Sequence, residues 1–317
     1  MDDTKNVREK MNTYISRQMT NIIKGLAIFF VVFGHLGIIK NAGSWGVGLF
    51  LIISGYGLTV SFFNKGFKKF FSKKFKHICI PYIAITCLWI TIDKLCGTNY
   101  SFFQILFSIF CVNVNSVIDP TMWYIPFIFI WYFIFYLIFK NINSNMFRVI
   151  TLFILAIVLI PLVKSNLFNP DVGAVLYIFQ FPLGVLIAII FNKTNVLKYG
   201  NTKNILSFIA IICSVVAIST YGKINNSIIY FINMNAVCYI TIFLISIVKI
   251  NTSFFEKLGE ISYEIYLVEF VFIVKYNFIF MTIKNKIIST ICYLMFIILM
   301  AMVIKKFFIY IYNKVNL

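Results

Sequence analysis

Lys24 and His35 are separated by ten residues, GLAIFFVVFG, whose side chains offer almost no hydrogen-bonding capacity. Eleven residues at about 100° each return a helix to within about 20° of its starting direction, so both side chains fall on one face. At about 1.5 Å per residue they stand roughly 16 Å apart along that face. Imidazole is the side chain whose ordinary pKa lies nearest neutrality, and it can take and return a proton. An ammonium on the same face supplies a fixed cation for an anionic group. The pair suits removal of a proton from a hydroxyl beside a bound anionic compound, and it suits a proton relay in a transporter equally well. A lysine near a helix end also snorkels to headgroups, and a buried histidine also serves as a packing residue held by a neighbouring helix. Far along the chain, LGEISYEIYLVEFVFIVKY places Glu264, Glu269 and Lys275 in a second apolar segment. Glu264 and Glu269 differ by about 140° on a continuous helix, so they do not both face one site squarely. An unpaired carboxylate at the depth of Glu269 is costly, and Lys24, His35 and Lys275 are its available partners.

The elements that must position these groups are membrane helices. The chain of 317 residues is 61% hydrophobic and 12% charged, with a mean hydropathy of +0.92. Apolar runs recur at about 22–39, 44–63, 78–95, 122–139, 149–163, 173–191, 204–220, 227–248, 261–283 and 287–304. Most are long enough to cross a hydrocarbon core of about 30 Å. The fold class is all-α: a polytopic integral membrane protein with about ten transmembrane helices. A further stretch, SFFQILFSIFCV at 101–112, is too short to span and is expected to lie in the interface or to re-enter.

The net charge of +18 is mostly topology information rather than a sign of nucleic acid. With the N-terminus inside, the inner side collects Lys5, Arg8, Lys10 and Arg17, the cluster from Lys65 to Lys76, and Lys140, Arg148, Lys193, Lys198, Lys203, Lys249, Lys257, Lys305, Lys306 and Lys314. The outer side receives only Lys40, Lys94, Lys164, Lys223, Lys284 and Lys286. This bias predicts that both termini are cytoplasmic. The first 21 residues read as a polar cytoplasmic segment without an apolar h-region and cleavage site. Residues 22–312 read as one transmembrane domain, with no appended soluble domain expected. The seven cysteines show no metal-like spacing and read as small apolar residues, and no metal is expected.

Two further stretches qualify the picture. GVGLFLIISGYGL brings Gly46, Gly48, Gly55 and Gly57 into the second span, where small residues allow helices or a ligand to approach the backbone. The segment after it, NKGFKKFFSKKFKHICIPYI, reads as a basic loop with interleaved phenylalanines. It serves either as positive-inside signal and interfacial anchor, or as a place where Lys73, Lys74 and Lys76 meet the phosphates of a nucleotide-containing compound.

Together these segments resemble, in order, the bacterial membrane acyltransferase-3 family, which O-acylates cell-surface glycans. KGLAIFFVVFGH is similar to its first-span motif, a cation and a histidine with ten residues between them, here Lys24 and His35. GVGLFLIISGYGL matches at Ser54, Gly55 and Tyr56, and KKFKHICIPYI at Pro81 and Tyr82. MWYI at 122–125, FQFPLGVLI and LGEISYEIYLVEF resemble three later motifs. Lysine stands where the family often has arginine, and Glu269 where it often has histidine. The resemblance implies transfer of an acyl group, acetyl from acetyl-CoA in the first instance, to a carbohydrate hydroxyl at the bacterial cytoplasmic membrane. The donor phosphates would lie near Lys73, Lys74 and Lys76, with His35 as general base or acyl relay and Lys24 and Glu269 as its companions. Ser54, Tyr56, Trp123 and Tyr263 would line the path. The alternative is a proton-coupled transporter or flippase of a glycan or lipid-linked intermediate, which would use the same ionisable groups without modifying its substrate.

Overall fold

Hydrocarbon offers no partner to a backbone N–H or C=O, so an apolar run that crosses it must satisfy its own hydrogen bonds as a helix. A computed structural model describes residues 15–68, 70–110, 118–164, 173–193, 200–222, 227–248, 250 and 252–314, and among these no strand occurs. Among the described residues, eight helices are long and apolar enough to cross a bilayer: Arg17–His35, Ala42–Lys65, Phe70–Leu95, Pro120–Asn141, Asn145–Val163, Ala174–Phe191, Ser227–Ser246 and Lys286–Lys314. The two other expected spans take different forms. Asn204–Thr220 is apolar but shorter, and 261–283 is not one helix.

We label the helices in chain order. The first pair is α1 (Arg17–His35) and α2 (Ala42–Lys65). Next come α3 (Phe70–Lys74), a π-helical turn at Phe75–Cys79, α4 (Ile80–Leu95) and the short α5 (Phe102–Ile109). A 3₁₀ turn at Pro120–Trp123 leads into α6 (Tyr124–Asn141), followed by α7 (Asn145–Lys164), α8 (Gln180–Lys193), α9 (Gly200–Thr220) and α10 (Ser227–Ser246). The expected ninth span is a chain of four short helices, α11 (Ser253–Glu260), α12 (Ser262–Tyr266), α13 (Glu269–Val274) and α14 (Phe278–Thr282), and α15 (Lys286–Lys314) closes the fold.

Three glycine crossings bring backbones together. A Cβ on Gly25 would stand 1.9 Å from the carbonyl oxygen of Phe255, and one on Gly259 1.8 Å from that of Asn21, so α1 and α11 touch main chain to main chain. Gly55 of α2 and Gly184 of α8 repeat the arrangement, with the carbonyls of Phe181 and Ile52 at 2.2 and 2.0 Å from the added carbon. Gly46 does the same between α2 and the Ala27 carbonyl of α1. This is small-residue packing of the kind that joins membrane helices, where van der Waals contact and not water exclusion drives association. Around it lie two apolar cores: one built from α1, α2, α6, α7, α8 and α10, the other from α1, α4, α6, α11–α13 and α15. The outward faces remain apolar, as Ile154, Ile157, Phe208, Val215, Ile218, Met295 and Val303 illustrate, which suits lipid contact.

Two expectations are corrected. The basic stretch after α2 is not a loop throughout. Gly66, with φ 62°, ends α2, and from Phe70 the chain is helical through the π turn into α4. No glycine or proline interrupts residues 70–80, and Phe67, Phe70 and Phe71 pack among the aromatic rings of α6. The ninth span breaks at Leu267–Val268 because tertiary hydrogen bonds replace the ladder there: Trp89 Nε1 donates to the Leu267 carbonyl and Tyr293 Oη to the Glu269 carbonyl.

Candidate active site

Lys24 and His35 line one cavity of about 580 Å³ that runs between α1, α2, α6, α12 and the π turn. On α1 the lining residues are Thr20, Lys24, Val31 and His35, and on α2 they include Val47, Phe50, Ser54, Gly57, Ser61 and Lys65. Both sets follow the three- and four-residue spacing of a single helix face. The two ends differ in chemistry. Near the N-terminal end of α1, the wall carries Lys24, Lys65, Lys68, Lys74, His77, Glu260 and Glu264. Near its C-terminal end stand His35, Thr121, Trp123 and Tyr266. Between them the wall is mostly apolar, crossed by a hydrogen bond between Ser54 and Tyr124.

At the far end, His35 Nδ1 lies 2.6 Å from Oε1 of Glu269, and an ionised carboxylate there takes a hydrogen bond from the ring protonated at Nδ1. Glu269 is completely buried, whereas about a quarter of the His35 side chain is exposed. Helix α13 begins at Glu269 because the break ahead of it resets the helical phase. That reset brings Glu269 to His35 while Glu264, on α12, lines the other end of the cavity, an outcome a continuous helix would forbid. With Nδ1 committed to the carboxylate, Nε2 is the basic nitrogen of the neutral ring, and a proton taken there gives an imidazolium balanced by Glu269. The ring also packs edge-on against Phe270, with centroids 4.9 Å apart.

Asp119 is a site residue that sequence reasoning missed. It precedes the 3₁₀ turn, just outside the span that starts at Pro120, and is buried. Its Oδ1 accepts from Thr121 N at 2.8 Å and Thr121 Oγ1 at 2.6 Å, while Tyr266 Oη donates to the Thr121 carbonyl at 2.6 Å. The turn that carries Thr121 and Trp123 into the cavity is thereby fixed. Burial pushes the Asp119 carboxyl up to about 6; the Thr121 hydrogen bonds oppose that rise, and the nearby charges of Glu269 and His35 act on it with opposite signs. The only signal in the sequence was an acid directly ahead of a span.

The remaining predicted residues divide clearly. Lys74, Ser54, Trp123 and Tyr263 line the cavity. Lys74 Nζ sits 4.2 Å from the centre of the Tyr132 ring, and Tyr263 Oη donates to the Ile78 carbonyl of the π turn at 2.7 Å. Tyr56 does not line it: its hydroxyl accepts from Ile15 N at 2.8 Å within the core. Lys76 turns toward α15, with Nζ 4.5 Å from the centre of the Tyr312 ring. The side chain of Lys73 lies outside the described residues. Of the four glycines of the second span, Gly46 and Gly55 serve close helix packing, and Gly48 faces Cys238. Gly57 alone of the four faces the cavity, and a Cβ there would meet nothing within 4 Å.

No curated protein and no solved structure matches the chain. The family model described as an acyltransferase domain, that of acyltransferase family 3, matches residues 20–308 and so takes in both ends of the cavity. The chain is an acyltransferase and belongs to acyltransferase family 3.

Proposed function

We propose that the protein O-acylates a cell-surface or exported carbohydrate, with acetyl-CoA as the acetyl donor, across the bacterial cytoplasmic membrane. The observation that carries this reading is one cavity with lysines at one end and the His35–Glu269 pair at the other. The excess of lysine and arginine on the side of the α1 N-terminus assigns the lysine end to the cytoplasm. Lys24, Lys65, Lys68 and Lys74 bind the donor phosphates there as point charges. The largely apolar middle suits the uncharged thioester arm better than the charged phosphates.

At the histidine end, Nε2 of His35 takes the proton of the acceptor hydroxyl. The hydroxyl oxygen forms a bond to the thioester carbonyl carbon, and the carbon–sulfur bond breaks. The imidazolium returns its proton to the departing thiolate, so charge and protons balance over the turnover. Glu269 keeps the ring in the required tautomer and balances its transient positive charge, a contribution of about 10²–10⁴-fold for the acid–base pair as a whole. A carbohydrate acceptor fits the histidine end, which has the hydroxyl-bearing Thr121 and Tyr266 and the ring of Trp123 on its wall.

The test is the O-acetyl content of surface glycan purified from cells expressing the wild type or His35→Ala at matched membrane levels. The proposal expects acetate with the wild type and its loss with the variant. Equal acetate from both would reduce His35 to a packing residue. No acetate from the wild type in the presence of candidate acceptors would overturn the reading and favour unmodified transport.

A further inference from the structure

The carboxylate that holds His35 sits on a helix of six residues, flanked by two breaks. Such a helix has little stability of its own, so its place along the cavity must be set from outside. Its start is tied by the Trp89 and Tyr293 hydrogen bonds to the carbonyls of Leu267 and Glu269. Its other end is tied by a cluster that the site does not use. Lys275, the residue after α13, forms an ion pair with Asp93 near the end of α4. Tyr276 donates to Oδ1 of the same carboxylate, and Tyr100 donates to Oδ2 at 2.7 Å. Lys275 Nζ also donates to Tyr100 Oη at 2.8 Å.

Asp93 is buried to about 1% exposure, so three donors from two separate segments converge on one desolvated carboxylate. Displacing Lys275 would leave the buried Asp93 charge without its cation, which is costly. The rings repeat the attachment: Trp89 of α4 packs on Phe272 and Tyr276, with centroids 5.4 and 5.9 Å away. The outer half of α4 thus grips the segment 267–276 from end to end. Glu269 and Lys275 are six residues apart, about 9 Å along the helix, so the ion pair and Glu269 are the two ends of one short element.

We infer that Asp93 and Lys275, with Tyr100 and Tyr276, form a latch that sets the position of Glu269 against His35, making them positioning residues for the imidazole. The coupling belongs to the folded chain; its effect on rate rests on the acyl-transfer reading above.

The chain has two histidines, so diethyl pyrocarbonate labelling with mass spectrometry compares His35 with His77 as an internal control. Lys275→Met alone strands the Asp93 charge and risks misfolding, so the neutral pair Asp93→Asn with Lys275→Met is the primary variant, in lipid nanodiscs. The latch predicts that this pair raises the labelling rate of His35 severalfold as Nδ1 loses its partner, with His77 unchanged. Glu269→Leu, which removes the acceptor, should raise it equally, and the triple variant should add nothing to Glu269→Leu. In turnover, the neutral pair should lower kcat about tenfold with the donor KM unchanged. Unchanged His35 labelling in the neutral pair, or a triple variant in which the effects multiply, would overturn the latch. A wild type that transfers no acyl group overturns the proposed function instead, and the labelling then still decides the coupling.

Discussion

The two ends of the cavity are built on opposite plans. At the lysine end, Lys24, Lys65, Lys68 and Lys74 come from two long helices and the segment that follows, on flexible stems, with no carboxylate fixed to any of them by a salt bridge among the described residues. At the histidine end, one ring is held at 2.6 Å by a fully buried carboxylate, on a short helix clamped by Trp89, Tyr293 and the Asp93–Lys275 pair. Point charges on mobile stems attract an anion without demanding one geometry. A clamped imidazole is preorganised for proton transfer, where small misplacements cost large factors. The lesson is that loss of any one lysine should be graded and partly compensated, whereas the histidine end should fail as a unit.

His35→Ala is the sharpest test of that contrast, since it removes the imidazole that the clamped carboxylate holds. Activity should fall by about 10³-fold or more at matched protein level, in kcat and kcat/KM alike. Glu269→Gln keeps the shape and an acceptor oxygen but removes the charge that balances the imidazolium. A loss of about 10²-fold in kcat is expected, measured as initial rates with saturating donor. Combining the two changes should cost no more than His35→Ala by itself; a multiplicative loss would show that the pair does not act as a unit.

Much of this contrast was legible in the sequence, and the part that was not has a physical reason. The face shared by Lys24 and His35 follows from helical periodicity alone, because α1 is regular from Arg17 to His35. Glu269 stood out as a costly intramembrane acid, and His35 was among its named partners. Choosing between His35 and Lys275 required the break at Leu267–Val268. No glycine or proline marks that break, because side chains of α4 and α15, distant in sequence, create it. Asp93 and Asp119 escaped notice because each lies at the edge of an apolar run, whereas depth inside a run was what singled out Glu269. The basic stretch after α2 misled for a different reason: charge density suggested a loop, while its uninterrupted backbone and aromatic packing favour a helix.

Between the two ends lies Gly57, which tests whether the cavity is a passage. A leucine there meets no atom within 4 Å of its Cβ and gains roughly 1 kcal/mol of helix propensity, so the fold should persist. Its side chain would occupy the space between Ser54 and Ser61 on the cavity face of α2. If donor and acceptor meet through this passage, Gly57→Leu should lower kcat/KM about tenfold without reducing protein in the membrane. Gly25→Leu serves as the contrasting control, since its side chain would collide with the backbone of Phe255 and deplete the folded protein itself.

The lysines should give effects no larger than that of Gly57→Leu and, for Lys76, the smallest of all, and their pattern is the most informative. If these lysines hold the donor phosphates as proposed, Lys24→Met and Lys74→Met should each cost about 1.5 kcal/mol, raising the donor KM about tenfold at low salt and less at high salt, with kcat little changed. Lys76→Met, two residues from Lys74, removes the same charge from the same basic stretch. Its ammonium, however, lies over Tyr312 against α15 and not in the cavity. If the basic stretch acts by overall charge density, Lys74→Met and Lys76→Met should raise the donor KM alike. If the cavity wall decides, Lys76→Met should leave the KM within experimental error of the wild type. The difference between the two variants, measured in one titration series of acetyl-CoA, separates a diffuse electrostatic surface from a binding site with an inside and an outside.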